Sequence, residues 1–320
     1  MTDPTLLSIK NLKKYFYYRD KTGKKSLIRP VNDISLSINN GDTFGLIGES
    51  GCGKTSLGRT ILRLVEPDSG SILYDGKDIT HVNMRPYRSR MQIIFQDPAG
   101  SLDPRCRISD IVDEGVRASK HFRSKAERKE RVAELLESVG LDKSTSGHYP
   151  HEFSGGQQQR IGIARAIAIE PEFIVCDEPV SALDITHQFQ IINLLNELQR
   201  RLGLTYLFIS HDLSVVKHVS NRIGVMYIGR LVELGTSDEI TANPAHNYTK
   251  KLLEAIPIPD PRISRFRERE VYNENTELAI PAVGCRYLNQ CKDAFAVCRN
   301  EEPELREVSS GHFCACHLYG

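Results

Sequence analysis

Over the first 95 residues, apolar positions fall in short runs separated by polar or glycine-containing turns, the pattern of strands. Segments 6–11, 31–38 and 42–48 are expected strands, the third leading straight into a glycine loop. The spacing becomes helical over 54–64. Pro67-Asp68-Ser69-Gly70 then breaks it before SILYDG at 71–76, a strand and turn, and MQIIF at 91–95 reads as another buried strand. Between 106 and 141, ISDIVDEGVRAS and KAERKERVAELLESVG keep a helical period and predict an all-helical insertion. Its basic residues Arg123, Lys125, Arg128, Lys129 and Arg131 interleave with acids and read as a solvated helix face. A helix at 155–169 follows, then strand 173–177, helix 186–202, strand 205–210, helix 212–219 and strand 222–228. Strands alternating with helices predict an α/β fold with a mainly parallel, helix-covered sheet.

The Pro-rich IPIPDPR at 256–262 ends this alternation. Residues 257–280 are polar without a period and read as a linker, and residues 281–320 form a Cys-rich appendage. The chain's 320 residues exceed what one core of roughly 250–300 residues organises, which agrees with a second module. Lys plus Arg number 42 against 41 for Asp plus Glu, so the formal charge of +1 argues against nucleic acid as a partner. No run approaches the roughly 18 apolar residues of a membrane span, and the start MTDPTLLSIKNLKKYF lacks a secretory pattern; a cytosolic chain is expected. Of eight cysteines, Cys52, Cys106 and Cys176 read as ordinary residues of the folded body, with Cys52 beside a helix start that would lower its pKa. Cys285, Cys291, Cys298, Cys314 and Cys316 crowd the tail, and in a reducing compartment such a cluster points to metal rather than disulfides.

Gly48-Glu49-Ser50-Gly51-Cys52-Gly53-Lys54-Thr55 matches the phosphate-loop pattern in full, after a strand and before a helix. Its glycines let backbone N–H groups converge on a phosphate at a helix N-terminus, while Lys54 adds charge and the Thr55 hydroxyl can ligate Mg²⁺. Ser56 continues that helix start. FIVCDE at 173–178 supplies two carboxylates at a strand end: Asp177 to hold Mg²⁺ and Glu178 to polarise the attacking water. Ser154, Gly155, Gly156 and Gln157 form a second anion-binding helix start, redundant within one chain and useful in a head-to-tail dimer whose two loops close over one nucleotide.

The ordered set GESGCGKT, Gln96, FSGGQ, IVCDEP, Ser181-Ala182-Leu183-Asp184 and His211 resembles the nucleotide-binding domain of ABC transporters over residues 6–256. The resemblance implies a phosphate-loop NTPase domain spanning 1–256, with an antiparallel β subdomain and a helical subdomain at about 97–170. It also implies that Phe16 stacks on adenine, with Tyr15 the weaker candidate by spacing. Gln96 would sense the γ-phosphate and metal, Asp184 would couple the two sites of a dimer, and His211 would contact the γ-phosphate. Phe153 stands where the wider family has Leu, an apolar anchor in either case.

FQDPAGSLDPR at 95–105, LGRTILRLVEPDSG at 57–70 and NPAHNYTKKLLEAIP at 243–257 are similar to ATPase subunits of oligopeptide and dipeptide importers, with Asp103 in place of the family's Asn. That branch implies a peripheral subunit on the cytoplasmic face of the membrane, bound to two permeases and paired with a second, paralogous ATPase or a copy of itself. A solute-binding protein would take part indirectly, and related importers carry nickel. Four thiolates suit either Zn²⁺ or iron and sulfide. The resemblance implies a 4Fe-4S cluster on Cys285, Cys291, Cys298 and Cys316, with Cys314 the unexpected residue. The cluster would supply no phosphate or magnesium ligand, so its loss is expected to leave ATP binding to Lys54 and Thr55 largely intact. Two other readings are a soluble ABC ATPase of DNA repair or translation, which lacks its coiled-coil insertion or second cassette here, and an iron-sulfur sensor with secondary ATPase activity.

Overall fold

The chain's uninterrupted apolar strands are covered on both faces, which is why they show no alternation. In the computed structural model, which describes residues 5–19, 23, 25–122, 124–256 and 283–320, two apolar clusters sandwich one sheet. Alternate residues of a single run go to opposite faces. Ile174 and Cys176 join one cluster while Phe173 and Val175 join the other, and Tyr206 and Phe208 separate likewise from Leu207 and Ile209. The expected linker at 257–280 and Arg123 lie outside the described residues.

The first third of the chain forms β1 (Thr5–Arg19), β2 (Lys25–Asn39), β3 (Thr43–Ile47), α1 (Lys54–Ile61), β4 (Ser69–Tyr74) and β5 (Lys77–Asp78). Strands β2-β1-β4-β5 make an antiparallel sheet. The β1–β2 ribbon is longer than the expected 6–11 and 31–38, because its outer half is solvent-exposed and carries no burial pattern; Tyr17, for example, is exposed. Next come β6 (Met91–Ile94), α2 (Pro98–Ser101), α3 (Ile108–Ser119), α4 (Lys125–Ser138) and α5 (Gly155–Ile167), so residues 98–167 are helical apart from their connections. A capping box at Ser124 and Glu127 starts α4. Lys125 and Lys129 are exposed as expected, whereas Arg128 and Arg131 are half-buried, paired with Asp113 at 3.1 Å and Glu134 at 3.1 Å.

β7 (Phe173–Asp177), α6 (Ile185–Leu202), β8 (Thr205–Ser210), α7 (Leu213–Val219) and β9 (Arg222–Tyr227) follow the expected alternation. Then come β10 (Arg230–Thr236), α8 (Ser237–Ala242) and α9 (Asn247–Glu254), and in the tail α10 (Ala296–Asn300), β11 (Arg306–Ser309) and β12 (His312–Cys314). The eight-stranded sheet runs β11-β12-β10-β9-β3-β8-β7-β6, parallel from β9 to β6 and antiparallel beyond.

The tail that composition sets apart is therefore built into the main sheet. β12 pairs with β10 through Glu233 opposite Cys314 and Leu234 opposite Phe313. Beneath that seam the Glu233 carboxyl group is fully buried and takes N–H bonds from Ala245 at 2.7 Å and His246 at 2.9 Å, with His312 Nε2 at 2.7 Å. Arg286 and Arg230 converge on Glu302, and Arg230 reaches Asp33 of β2 at 3.0 Å, tying tail, main sheet and antiparallel sheet together.

Candidate active site

β3 is buried at all five positions and delivers the chain into the glycine loop with no freedom to slide. Gly48 and Gly53 have φ of 154° and 111°, and a β-carbon would lie 2.1 Å from the Met226 carbonyl oxygen at Gly48 or 1.9 Å from that of Pro30 at Gly53. Only glycine fits at either place. Gly53 caps α1 without a side-chain bond and no acid occupies the first turn, which leaves the amides after it open to an anion. Lys54 is buried, and its Nζ donates to the Gly48 carbonyl at 2.7 Å and the Glu49 carbonyl at 3.0 Å. Cys52 departs from the sequence expectation: burial outweighs the nearby Lys54 and raises its thiol.

Thr55 Oγ1 donates to Asp177 Oδ1 at 2.8 Å, joining the start of α1 to the end of β7. Asp177 is nearly inaccessible, and burial pushes its carboxyl up despite the Thr55 hydroxyl and the Arg59 charge. A carboxylate stripped of water in this way favours a cation beside it. The next residue, Glu178, is held at φ 47°, a left-handed conformation unusual for a side chain of its size. Its Oε2 accepts from Gln96 Nε2 at 3.1 Å and lies 3.2 Å from His211 Nδ1. Glu49, Ser50, Gln96, Glu178, Ser181 and His211 line one open cleft of about 650 Å³, so residues from β3, β6, β7 and β8 ends meet at one place. The sheet does the gathering, since its parallel strands all end on that edge.

Ser154 does not line that cleft, nor do Gly155, Gly156, Gln157 or Asp184. Ser154 caps α5 in a capping box with Gln157. Asp184 caps α6 and lies 2.7 Å from His187 Nδ1, and the His187 N–H bond keeps its carboxyl low. His187 in turn packs on Gly156, where a β-carbon would come within 3.2 Å of its ring. The two helix starts are thus neighbours on a second, separate surface. Phe16 is exposed on β1 opposite Ile28, two residues from the Pro30 that abuts Gly53. Tyr15 is engaged elsewhere, its hydroxyl donating to Asn32 at 2.6 Å.

All eight thiols of the chain are free, and in the tail Cys285, Cys291, Cys298 and Cys316 line one small cavity with Asn247 and His317. Cys314 does not line it; it is buried on β12, where burial and the nearby Glu233 raise its thiol. Burial pushes the Cys285 thiol up to about 11. Among the described residues no group of three or more His, Cys, Asp or Glu is arranged to hold a metal ion. The expected iron-sulfur ligands are gathered around one cavity but not drawn into coordination.

Sequence reasoning passes over α9. It carries Tyr248, whose hydroxyl accepts the Glu49 N–H of the phosphate loop at 2.8 Å, and Asn247, whose Nδ2 donates to Cys291 Sγ at 3.2 Å and Asp293 at 2.9 Å. The only signal is an aromatic and an amide buried at a helix start within NPAHNYTK, a stretch that otherwise reads as subfamily likeness. Among the described residues no helix is long and apolar enough to cross a membrane.

These features agree with the known proteins the chain is similar to. The ABC transporter family model matches residues 31–181, and a model described as the oligopeptide/dipeptide transporter C-terminal region matches 232–298. The second match begins inside β10, ahead of the composition break. The oligopeptide transport ATP-binding protein OppF of Bacillus subtilis is 49% identical over 97% of this chain and 96% of its own length. A putative peptide import ATP-binding protein of Brucella ovis is 47% identical over 99% and 98%. Among solved structures, a dimeric ATP-binding cassette in a post-hydrolysis state with ADP and Pi aligns with a TM-score of 0.65 at 27% identity, covering 72% of this chain and 99% of that one. The protein cbiO1 from Clostridium perfringens, part of an ABC transporter complex, aligns with a TM-score of 0.66 at 27% identity, covering 82% and 98%. With its phosphate loop, its carboxylate pair and its C-terminal region all accounted for, the chain belongs to the ABC transporter ATP-binding family, in the oligopeptide/dipeptide branch.

Proposed function

We propose that this chain hydrolyses ATP to drive the import of oligopeptides or dipeptides, as a peripheral subunit on the cytoplasmic face of the membrane beneath two permeases. The observation that carries the reading is the meeting of Gln96 and His211 on one oxygen of Glu178, next to the Thr55–Asp177 pair and the phosphate loop. Backbone amides of Gly51, Cys52, Gly53, Lys54, Thr55 and Ser56 cradle the phosphates, and Lys54 leaves its two carbonyl partners for them. Thr55, Asp177 and Gln96 hold Mg²⁺, which supplies charge neutralisation on the phosphate oxygens. Glu178 takes the proton of the attacking water, His211 contacts the γ-phosphate, and Phe16 stacks on adenine.

Ser154, Gly155, Gly156, Gln157 and Asp184 lie off this cleft, so they serve the nucleotide of a partner. A head-to-tail pair puts them there. That partner is a paralogous ATPase or a second copy of this chain, with a solute-binding protein delivering substrate to the permeases. One of the solved relatives is itself a dimer with ADP and Pi.

A 4Fe-4S cluster in the tail is supported by the type and number of donors, four thiols lining one small cavity with an amide N–H given to Cys291 Sγ, although the thiols are not arranged in coordination. Cys285, Cys291, Cys298 and Cys316 would hold it, and the cluster would supply a covalent crosslink among loops that have little core of their own. Reconstitution of the chain with its two permeases and partner ATPase tests the function. Peptide-stimulated ATP hydrolysis that disappears in Lys54→Ala supports it, and hydrolysis unaffected by that substitution rules it out.

A further inference from the structure

Gly48 C=O and Glu49 N–H belong to the same planar peptide unit and point from opposite edges of it. The carbonyl takes the Lys54 ammonium at 2.7 Å, and the N–H donates to the Tyr248 hydroxyl at 2.8 Å. Whatever fixes Tyr248 therefore fixes the plane on which Lys54 rests. Tyr248 is fully buried, with its ring 4.6 Å from Tyr227 and 5.6 Å from Tyr287 of the tail. Burial raises its phenol, so the hydroxyl remains neutral and able to accept.

The helix bearing Tyr248 is gripped by the cysteine segment on its other side. Asn247 donates to Cys291 and Asp293, and Lys251 donates to Gln290 at 2.9 Å while its ammonium lies 3.8 Å from the Glu49 carboxylate. Among the described residues the buried Asn247 Oδ1 has no hydrogen-bond partner, and the amide is held by its donor side, from the tail. One helix thus touches the phosphate loop through the residue adjoining the one that touches the cysteine cavity.

We infer that Tyr248 is a positioning residue for the phosphate loop, and that α9 makes nucleotide affinity depend on how the C-terminal cysteine segment is seated. The inference rests on the ATP-binding reading of the loop. It qualifies the expectation that loss of the cluster leaves ATP binding largely intact: the tail ligates no phosphate, yet it packs on the helix whose Tyr248 orients the peptide under Lys54.

The test uses the full chain, MgATP titrations and steady-state hydrolysis. Tyr248→Phe keeps the ring packing and removes one hydrogen bond, so Kd and KM for MgATP should rise about fivefold while kcat stays unchanged and the thermal midpoint falls by only about 2–4 °C. Asn247→Ala, which touches the tail and not the loop, should weaken MgATP about two- to threefold in the wild-type background and add nothing in Tyr248→Phe. Unchanged MgATP affinity in Tyr248→Phe, or an equal Asn247→Ala loss in both backgrounds, overturns the inference. Wild-type protein that binds no MgATP overturns instead the nucleotide reading on which it rests.

Discussion

His211 Nδ1 lies 3.2 Å from the same Glu178 oxygen that accepts the Gln96 amide. The carboxylate is thus oriented from the ends of two other strands, β6 and β8, before nucleotide arrives, and its unusual φ is stabilised by neighbours rather than by its own preference.

Glu178→Gln should preserve MgATP affinity within about twofold and slow hydrolysis by about 10²- to 10⁴-fold, the usual worth of a general base. The amide keeps the side chain's size and removes its proton acceptor. ATP-bound dimers should then accumulate in gel filtration. Hydrolysis at the wild-type rate in the assembled complex would sink the assignment.

Ser154→Arg should block hydrolysis at the site formed with the partner's phosphate loop and spare the site holding this chain's own Lys54. Labelled ATP analogues in a heteromeric complex distinguish the two sites, and a defect confined to this chain's own loop would contradict the head-to-tail arrangement.

Gly53→Ala should lower unfolding free energy by about 2–4 kcal/mol, since it combines a left-handed backbone with a collision against the Pro30 carbonyl that cannot be relieved by a side-chain rotation. Urea denaturation measures it; a loss below about 0.5 kcal/mol would mean that the β1–β2 ribbon yields more easily than its packing implies.

Burial lowers the His246 pKa to about 4, with the Lys250 charge pushing the same way. The unfolded chain titrates this group near 6.5, so between those values it binds more protons than the folded one. Stability from this residue is complete above about pH 6.5 and falls as pH drops toward 4, by about 3 kcal/mol in all. His246→Asn retains a cap for α9 without a titrating ring, so its urea midpoint should fall less steeply over that window. Parallel pH profiles for the two proteins would refute the assignment.

Cys285→Ser, Cys291→Ser, Cys298→Ser and Cys316→Ser should each abolish iron and sulfide in anaerobically purified protein, and Cys314→Ser should spare them because Cys314 does not line the shared cavity. Elemental analysis decides: stoichiometric zinc without sulfide would replace the cluster with a single ion, and an iron-free Cys314→Ser would reassign the fourth ligand.

FIVCD and TYLFIS were legible to the residue, since a strand covered on both faces is an unbroken apolar run bounded by polar turns. The cleft was legible for a related reason: Gln96, Glu178 and His211 each follow such a run immediately, and Glu49 and Ser50 lie in the glycine loop that β3 enters. The outer β1–β2 ribbon was not, because exposed strand carries no periodic signal. Nor were β10, β11 and β12: β9–β10 and β11–β12 are local hairpins, but the seam that joins them pairs Glu233 with Cys314, far along the chain. The Glu49–Tyr248 bond spans 199 residues, and neither residue type announces the other. Local patterns encode what each segment does with solvent, whereas pairings across the fold are set by the assembled geometry.

The seam between β12 and β10 has a consequence for solubility. A chain ending before Val283 would keep the phosphate loop, both carboxylates and both helix starts, yet leave β10 with an unpaired backbone edge and uncover the Glu233 carboxyl group beneath it. An open edge next to apolar Leu231, Val232 and Leu234 is a template for another strand, so the tail acts as a built-in guard against self-association.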